Sequence, residues 1–157
     1  MNRRLEFRQA FRNPWTLIAV GFGAGLAPWA PGTFGTLAAI PVYLLLAGAT
    51  PAVYSAAVVV LVGLGVVACG RCGHALGEAD HPAIVWDEII GFLITMWGVP
   101  ASWQNVLLGF ALFRFFDIIK PWPIRAIDRG TGGGWGVMLD DVAAGLLSSL
   151  ILHTLAF

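Results

Sequence analysis

All 18 charged residues of this chain fall into four clusters, and the stretches between them carry none. Five lie from Arg3 to Arg12, five from Arg71 to Glu88, six from Arg114 to Arg129, and two at Asp140 and Asp141. The connections near residues 48–52 and 98–105, and everything after Asp141, are uncharged. Uncharged stretches of this length must bury themselves in lipid or in one another, and with 58% hydrophobic residues, 11% charged and a mean hydropathy of +0.79 the expected class is a membrane protein. The formal net charge is zero and no basic face is interleaved with aromatics, so nucleic acid is not an expected partner.

Five apolar segments could each cross a bilayer: 36–49, 51–68, 83–99, 102–119 and 137–155. At ~1.5 Å per residue the first is short for a ~30 Å core and is expected to begin before Thr36. The expected fold is all-α, a polytopic helical bundle of about five transmembrane helices forming a single domain over 1–157. Residues 1–13 set Leu5, Phe7 and Phe11 among four arginines and read as an amphipathic anchor at the lipid surface. The run 15–27 resembles a signal peptide at first sight, but it leads into Pro28, Pro31 and more membrane-like sequence and reads as retained. Alternate crossing of the five segments places every charged cluster on one side, which the positive-inside rule makes the cytoplasm. The C-terminus is then outside, and 15–27 cannot cross fully: it enters and returns, or lies at the interface.

Three stretches carry candidate chemistry. Residues 21–36 (GFGAGLAPWAPGTFGT) lack the glycine at position 26 that a dinucleotide fingerprint needs, and lack the ending of a P-loop. They offer backbone amides near Gly32 with the Thr33 and Thr36 hydroxyls, suited to anionic oxygens at a helix start. Close packing through Gly21 and Gly25, with Thr36 as a helix cap, is an equal reading. In the second stretch, 78–88 (EADHPAIVWDE), Asp87 and Glu88 begin an otherwise apolar helix, with Asp80 and His81 in the loop before it. A charge near the bilayer centre costs at least ~2.5 kcal/mol, so these carboxylates require protein or water around them. Cys69 and Cys72 have C-x-x-C spacing, but His74 alone does not complete a zinc set, and two small residues near a helix end is the better account.

The third stretch, 113–145, is the densest. Arg114 and Asp117 share a helical face at i, i+3, and Lys120 follows where Pro121 stops the helix. Arg125 and Arg129 can present forked donors to phosphate, and Gly132, Gly133 and Gly134 would let backbone approach a ligand. Asp140 and Asp141 are expected to open the last helix, with Ala144 and Gly145 one turn on allowing a neighbour to approach closely. Asp87, Glu88, Asp117, Asp140 and Asp141 then converge at similar depth. Two bare carboxylates ~5 Å apart repel by about 3 kcal/mol at an effective dielectric of 20, so such a group calls for a cation. All-oxygen ligands favour Mg2+. The competing account pairs the acids with Arg114, Lys120, Arg125 and Arg129; a competing function is a small cation channel or transporter using the same acids in transit. Trp86, Trp97, Trp103, Trp122 and Trp135 read as interfacial anchors, and His153 as remote from the acids.

Four blocks, GLAPWAPGTFGTLAAIP, DHPAIVWDEIIGF, FRFFDIIKPWPI and GGGWGVMLDDVAAG, stand in the order in which they occur in the phosphatidylglycerophosphatase A family, which the chain resembles over nearly its whole length apart from the first dozen residues. The resemblance implies hydrolysis of phosphatidylglycerophosphate to phosphatidylglycerol and phosphate, dependent on Mg2+, at the cytoplasmic face of the bacterial inner membrane. On that expectation the five carboxylates hold one or two Mg2+ ions that polarise the phosphate and activate a water. Lys120, Arg125 and Arg129 neutralise phosphate oxygens, and Gly32, Thr33, Thr36, Asp80 and His81 complete the expected phosphate-binding set.

Overall fold

Seven α-helices and one 3₁₀ segment make up a computed structural model that describes residues 12–130 and 132–156, with residues 128–130 described by backbone alone. In chain order they are α1 (Pro14–Ala19), the 3₁₀ segment Gly21–Leu26, α2 (Pro31–Leu46), α3 (Pro51–Leu76), α4 (Trp86–Thr95), α5 (Trp103–Ile119), α6 (Ile124–Gly130) and α7 (Gly133–Ala156). No strand occurs among the described residues, so the all-α expectation holds there. The amphipathic anchor expected over 1–13 falls almost wholly outside them.

The helix boundaries follow from local chemistry. Asn13 caps α1 by accepting the Trp15 amide, and Thr50 and Ser102 cap α3 and α5 by accepting from Val53 and Asn105. Proline occupies the first turn of α1, α2 and α3, where its missing N–H costs nothing. At the other ends α3 stops at Gly77 and α5 at Lys120, both in the left-handed region.

Helix α4 is the hub. Eight of its residues are buried, including Asp87, and α2, α3, α5 and α7 pack around it. Its closest partner is α7, because Gly145 lies where an added Cβ would stand 2.5 Å from the Gly91 carbonyl oxygen. Thr95 donates its hydroxyl to the Gly91 carbonyl at this crossing. Tyr43 and Tyr54 fasten the far end by donating to the carbonyls of Val99 and Leu93. The Trp86 indole is buried and donates to the Leu61 carbonyl, so this tryptophan is a core residue and not an interfacial anchor. By contrast Trp97, Trp103, Trp122 and Trp135 are exposed.

The elements alternate between two ends. The start of α2, the loop before α4, the end of α5 and the first third of α7 meet at a charged end, whereas the end of α2, the start of α3 and the end of α4 line an uncharged cavity of ≈ 250 Å³. Among the described residues two helices, α3 and α7, are long and apolar enough to cross a membrane. The segment 83–99 was expected to span, but it is helical only over ten residues, about 15 Å. Its first residues are held outside the helix because Val85 donates its amide to Ala19 in α1, and Gly98 with φ +69° follows its end. The run 15–27 is likewise broken: α1 ends, and Phe22 and Gly23 both take positive φ before the chain reaches α2. Pro31 opens α2, which starts anew after that break.

Candidate functional site

Asp87 and Glu88 occupy the first turn of α4, where the unpaired helix amides favour negative charge. Asp141 reaches them from α7, and the three side chains present oxygens all within 4.8 Å of one another. Asp87 and Asp141 are only 8% and 3% exposed. Within this cluster Asp87 Oδ1, Glu88 Oε2 and Asp141 Oδ2 are buried with no hydrogen-bond partner. Carboxylate oxygens so placed repel one another and have lost water. A hard divalent cation satisfies both deficits, and the donor set, oxygen alone, suits Mg2+ rather than zinc. Among the described residues this is the group of acids, histidines or cysteines that comes together in this way; Cys69 and Cys72 are buried free thiols apart from it.

Two further acids stand beside the cluster, each with a cation. Arg114 hydrogen-bonds Asp117 one turn on, as their spacing in the sequence suggested, and lies 3.7 Å from Glu88. Lys120 pairs with Asp140. The left-handed backbone of Lys120 at the end of α5 turns the chain away while its side chain returns to α7. The five carboxylates expected to act alike are thus of two kinds: Asp87, Glu88 and Asp141 cluster, with Glu88 also facing Arg114, whereas Asp117 and Asp140 each hold a cation beside the cluster. All five, with Arg114, Lys120 and Asp80, line one cavity of ≈ 270 Å³. Asp140 and Asp141 do not open the last helix, which begins at Gly133, so they sit two turns inside it, about 10 Å below its start.

The glycine-rich stretch supports this site from behind. A Cβ on Gly25 would stand 2.0 Å from the Ala83 carbonyl oxygen, one on Gly35 2.7 Å from Val85 Cβ, and one on Gly32 2.1 Å from Glu88 Oε1. The stripe therefore lets residues 83–88 lie directly against it, and close packing is the main use of these glycines. Ala30, Pro31 and Gly32 do reach the cavity wall. Thr33 does not line it, and Thr36 is buried six residues into α2, donating to the Gly32 carbonyl; it neither caps a helix nor faces the cavity.

Of the remaining expected residues, His81 accepts the Ala83 amide through Nδ1 and shapes the loop, without lining the cavity. Arg125 is exposed, donates to the Ile119 carbonyl and lines a separate shallow cavity. The Arg129 side chain lies outside the described residues. Gly134 packs on α3, where a Cβ would stand 2.0 Å from the Val66 carbonyl oxygen, so its small size serves helix contact and not a ligand. Arg114 was not singled out as a binding residue by sequence, although its i, i+3 relation to Asp117 was the available signal. His153 lies near Trp97, at the uncharged end.

Comparison with known proteins accords with these blocks. The family model for phosphatidylglycerophosphatase A matches residues 17–156. The phosphatidylglycerophosphatase A of Escherichia coli (strain K12) is 47% identical over 147 residues, 93% of this chain and 86% of the relative. That of Haemophilus influenzae (strain ATCC 51907 / DSM 11121 / KW20 / Rd) is 42% identical over 149 residues, 92% and 90% of the two chains. A putative phosphatidylinositol-3-phosphatase of Bacteroides thetaiotaomicron is 40% identical over 144 residues, 87% and 89%. No solved structure matches.

Proposed function

The chain belongs to the phosphatidylglycerophosphatase A family, and from that premise we propose that it hydrolyses the terminal phosphomonoester of phosphatidylglycerophosphate, releasing phosphatidylglycerol and inorganic phosphate. The names of the relatives share one chemistry, removal of a phosphate from a phosphatidyl lipid. The observation that carries the reading is the meeting of Asp87, Glu88 and Asp141, each with a buried oxygen that no protein donor meets, in a cavity that also holds Lys120 and Arg114.

Asp87, Glu88 and Asp141 would hold Mg2+. When bound, the ion supplies electrostatic stabilisation of the phosphate and lowers the pKa of a water for in-line attack. Lys120 neutralises phosphate oxygens, and Asp140 holds the lysine toward the cavity. Arg114 is held at the rim by Asp117 and Glu88 and offers its remaining donors to the same phosphate. The recessed floor keeps the reacting phosphate out of bulk water, where these charges act more strongly.

The protein is proposed to lie in the bacterial inner membrane as one domain, α2, α3, α4, α5 and α7 crossing or entering in alternation and the charged end facing the cytoplasm. The gathering of charged and uncharged connections at opposite ends supports that arrangement. No acid or base lines the cavity at the uncharged end, which favours a phosphatase over a route for ions. Phosphate release from phosphatidylglycerophosphate in mixed micelles is the test: release with Mg2+, abolished by EDTA and restored by added Mg2+, is expected. No Mg2+-dependent release from any such lipid phosphomonoester overturns the reading.

A further inference from the structure

Lys120 and Arg125 were expected to serve one phosphate, yet they point to different places. The Lys120 side chain enters the acidic cavity and pairs with Asp140. Arg125 rests its guanidinium on the carbonyl of Ile119, the residue just before Lys120, and faces a shallow cavity of ≈ 680 Å³ shared with Pro121, Trp122 and Ala126. Among the described residues no carboxylate lies within ion-pair distance of Arg125. Two cations thus diverge from the junction of α5 and α6, one inward and one outward.

We propose that Arg125 binds the phosphodiester of the substrate lipid while the acidic cavity takes its terminal phosphomonoester, which makes Arg125 a determinant of substrate class. This rests on the reading of the acidic cavity as a lipid phosphatase site. A phosphatidyl lipid with a phosphorylated headgroup carries both groups, separated by the headgroup alcohol, whereas phosphatidic acid carries only the monoester. A planar guanidinium forms two parallel hydrogen bonds to a phosphate, and Trp122, 84% exposed beside it, suits the interfacial level at which that phosphate lies.

Steady-state kinetics on phosphatidylglycerophosphate, at fixed lipid fraction in uncharged micelles, test the assignment. Arg125→Gln keeps a donor for the Ile119 carbonyl but removes the charge. It is expected to raise KM about tenfold, with KM carrying most of the loss in kcat/KM, and Arg125→Lys to recover part of it. Direct calorimetric binding of phosphatidylglycerol, which has the diester and no monoester, should weaken by a similar factor in Arg125→Gln. That measurement reads the subsite even if the wild-type protein releases no phosphate, an outcome that would sink the parent reading alone. Unchanged phosphatidylglycerol binding in Arg125→Gln overturns the proposal, as does a loss confined to kcat, which would return Arg125 to the reacting phosphate.

Discussion

Asp87 and Asp141 present oxygens to the same few ångströms of space from different helices, and neither has a protein donor for the atom it turns inward. Removing the charge from either should therefore have the same consequence. Asp87→Asn and Asp141→Asn are each expected to lower kcat by at least about 100-fold, comparable to deleting a principal electrostatic contact in an active site. Phosphate release at saturating Mg2+ measures this, and full activity in either variant removes that residue from the metal set. Asp140 acts differently, through Lys120, so Asp140→Asn should cost about 10- to 100-fold, the range for a group that orients another. Glu88→Gln should raise the Mg2+ concentration needed for half-maximal rate, since Glu88 retains Arg114 nearby but loses its charge. The sequence identified all five acids because charge inside an apolar helix demands a reason. It could not separate the clustered three from the two that hold a cation beside them, because identical residue types are distinguished only by what the packing brings within reach.

Helix α4 is short, and its start is fixed by contacts that leave no local trace. Residues 83–85 are held by a hydrogen bond from the Val85 amide to the Ala19 carbonyl and by glycines at 21, 25 and 35, none adjacent in sequence, so hydropathy alone extended the helix backward. The glycine positions differ in what they touch, which gives separable outcomes. Gly25→Ala sets a methyl against backbone that cannot swing aside and should destabilise by about 1–3 kcal/mol, read as a lower melting temperature in detergent. Gly145→Ala, at the crossing of α4 and α7, should do the same. Gly32→Ala meets only the ends of the Glu88 and Arg114 side chains, so its melting temperature should stay near wild type while activity falls. Retained activity there would show that Glu88 can move without consequence. Small residues at 144 and 145 were legible as a contact face because lipid-embedded helices approach through such positions; the partner, Gly91, was not, since nothing in its surroundings marks it.

Across the whole molecule the charged and uncharged ends were readable in advance, because placing charge in lipid is costly and the clusters alternate along the chain. Span lengths were less readable: among the described residues only α3 and α7 are long and apolar enough to cross on their own. Sided labelling decides the arrangement. Thr50 and Ala75 are exposed at opposite ends of α3, whereas Cys69 and Cys72 are buried and should stay silent. Thr50→Cys should react with an impermeant thiol reagent added outside intact cells, and Ala75→Cys only after permeabilisation; the reverse pattern overturns the cytoplasmic assignment of the charged end. The backing of residues 83–88 by glycine bears on how genetic data from such a chain would be interpreted. A saturation screen scored by phosphate release alone would mark positions 25, 32 and 35 as strongly as 87 and 141, and its map would suggest a glycine-rich nucleotide-like loop in the active centre. Scoring protein abundance beside activity would separate scaffold from chemistry at 25 and 35 and would leave Gly32, whose effect runs through the Glu88 and Arg114 side chains, on the side of chemistry.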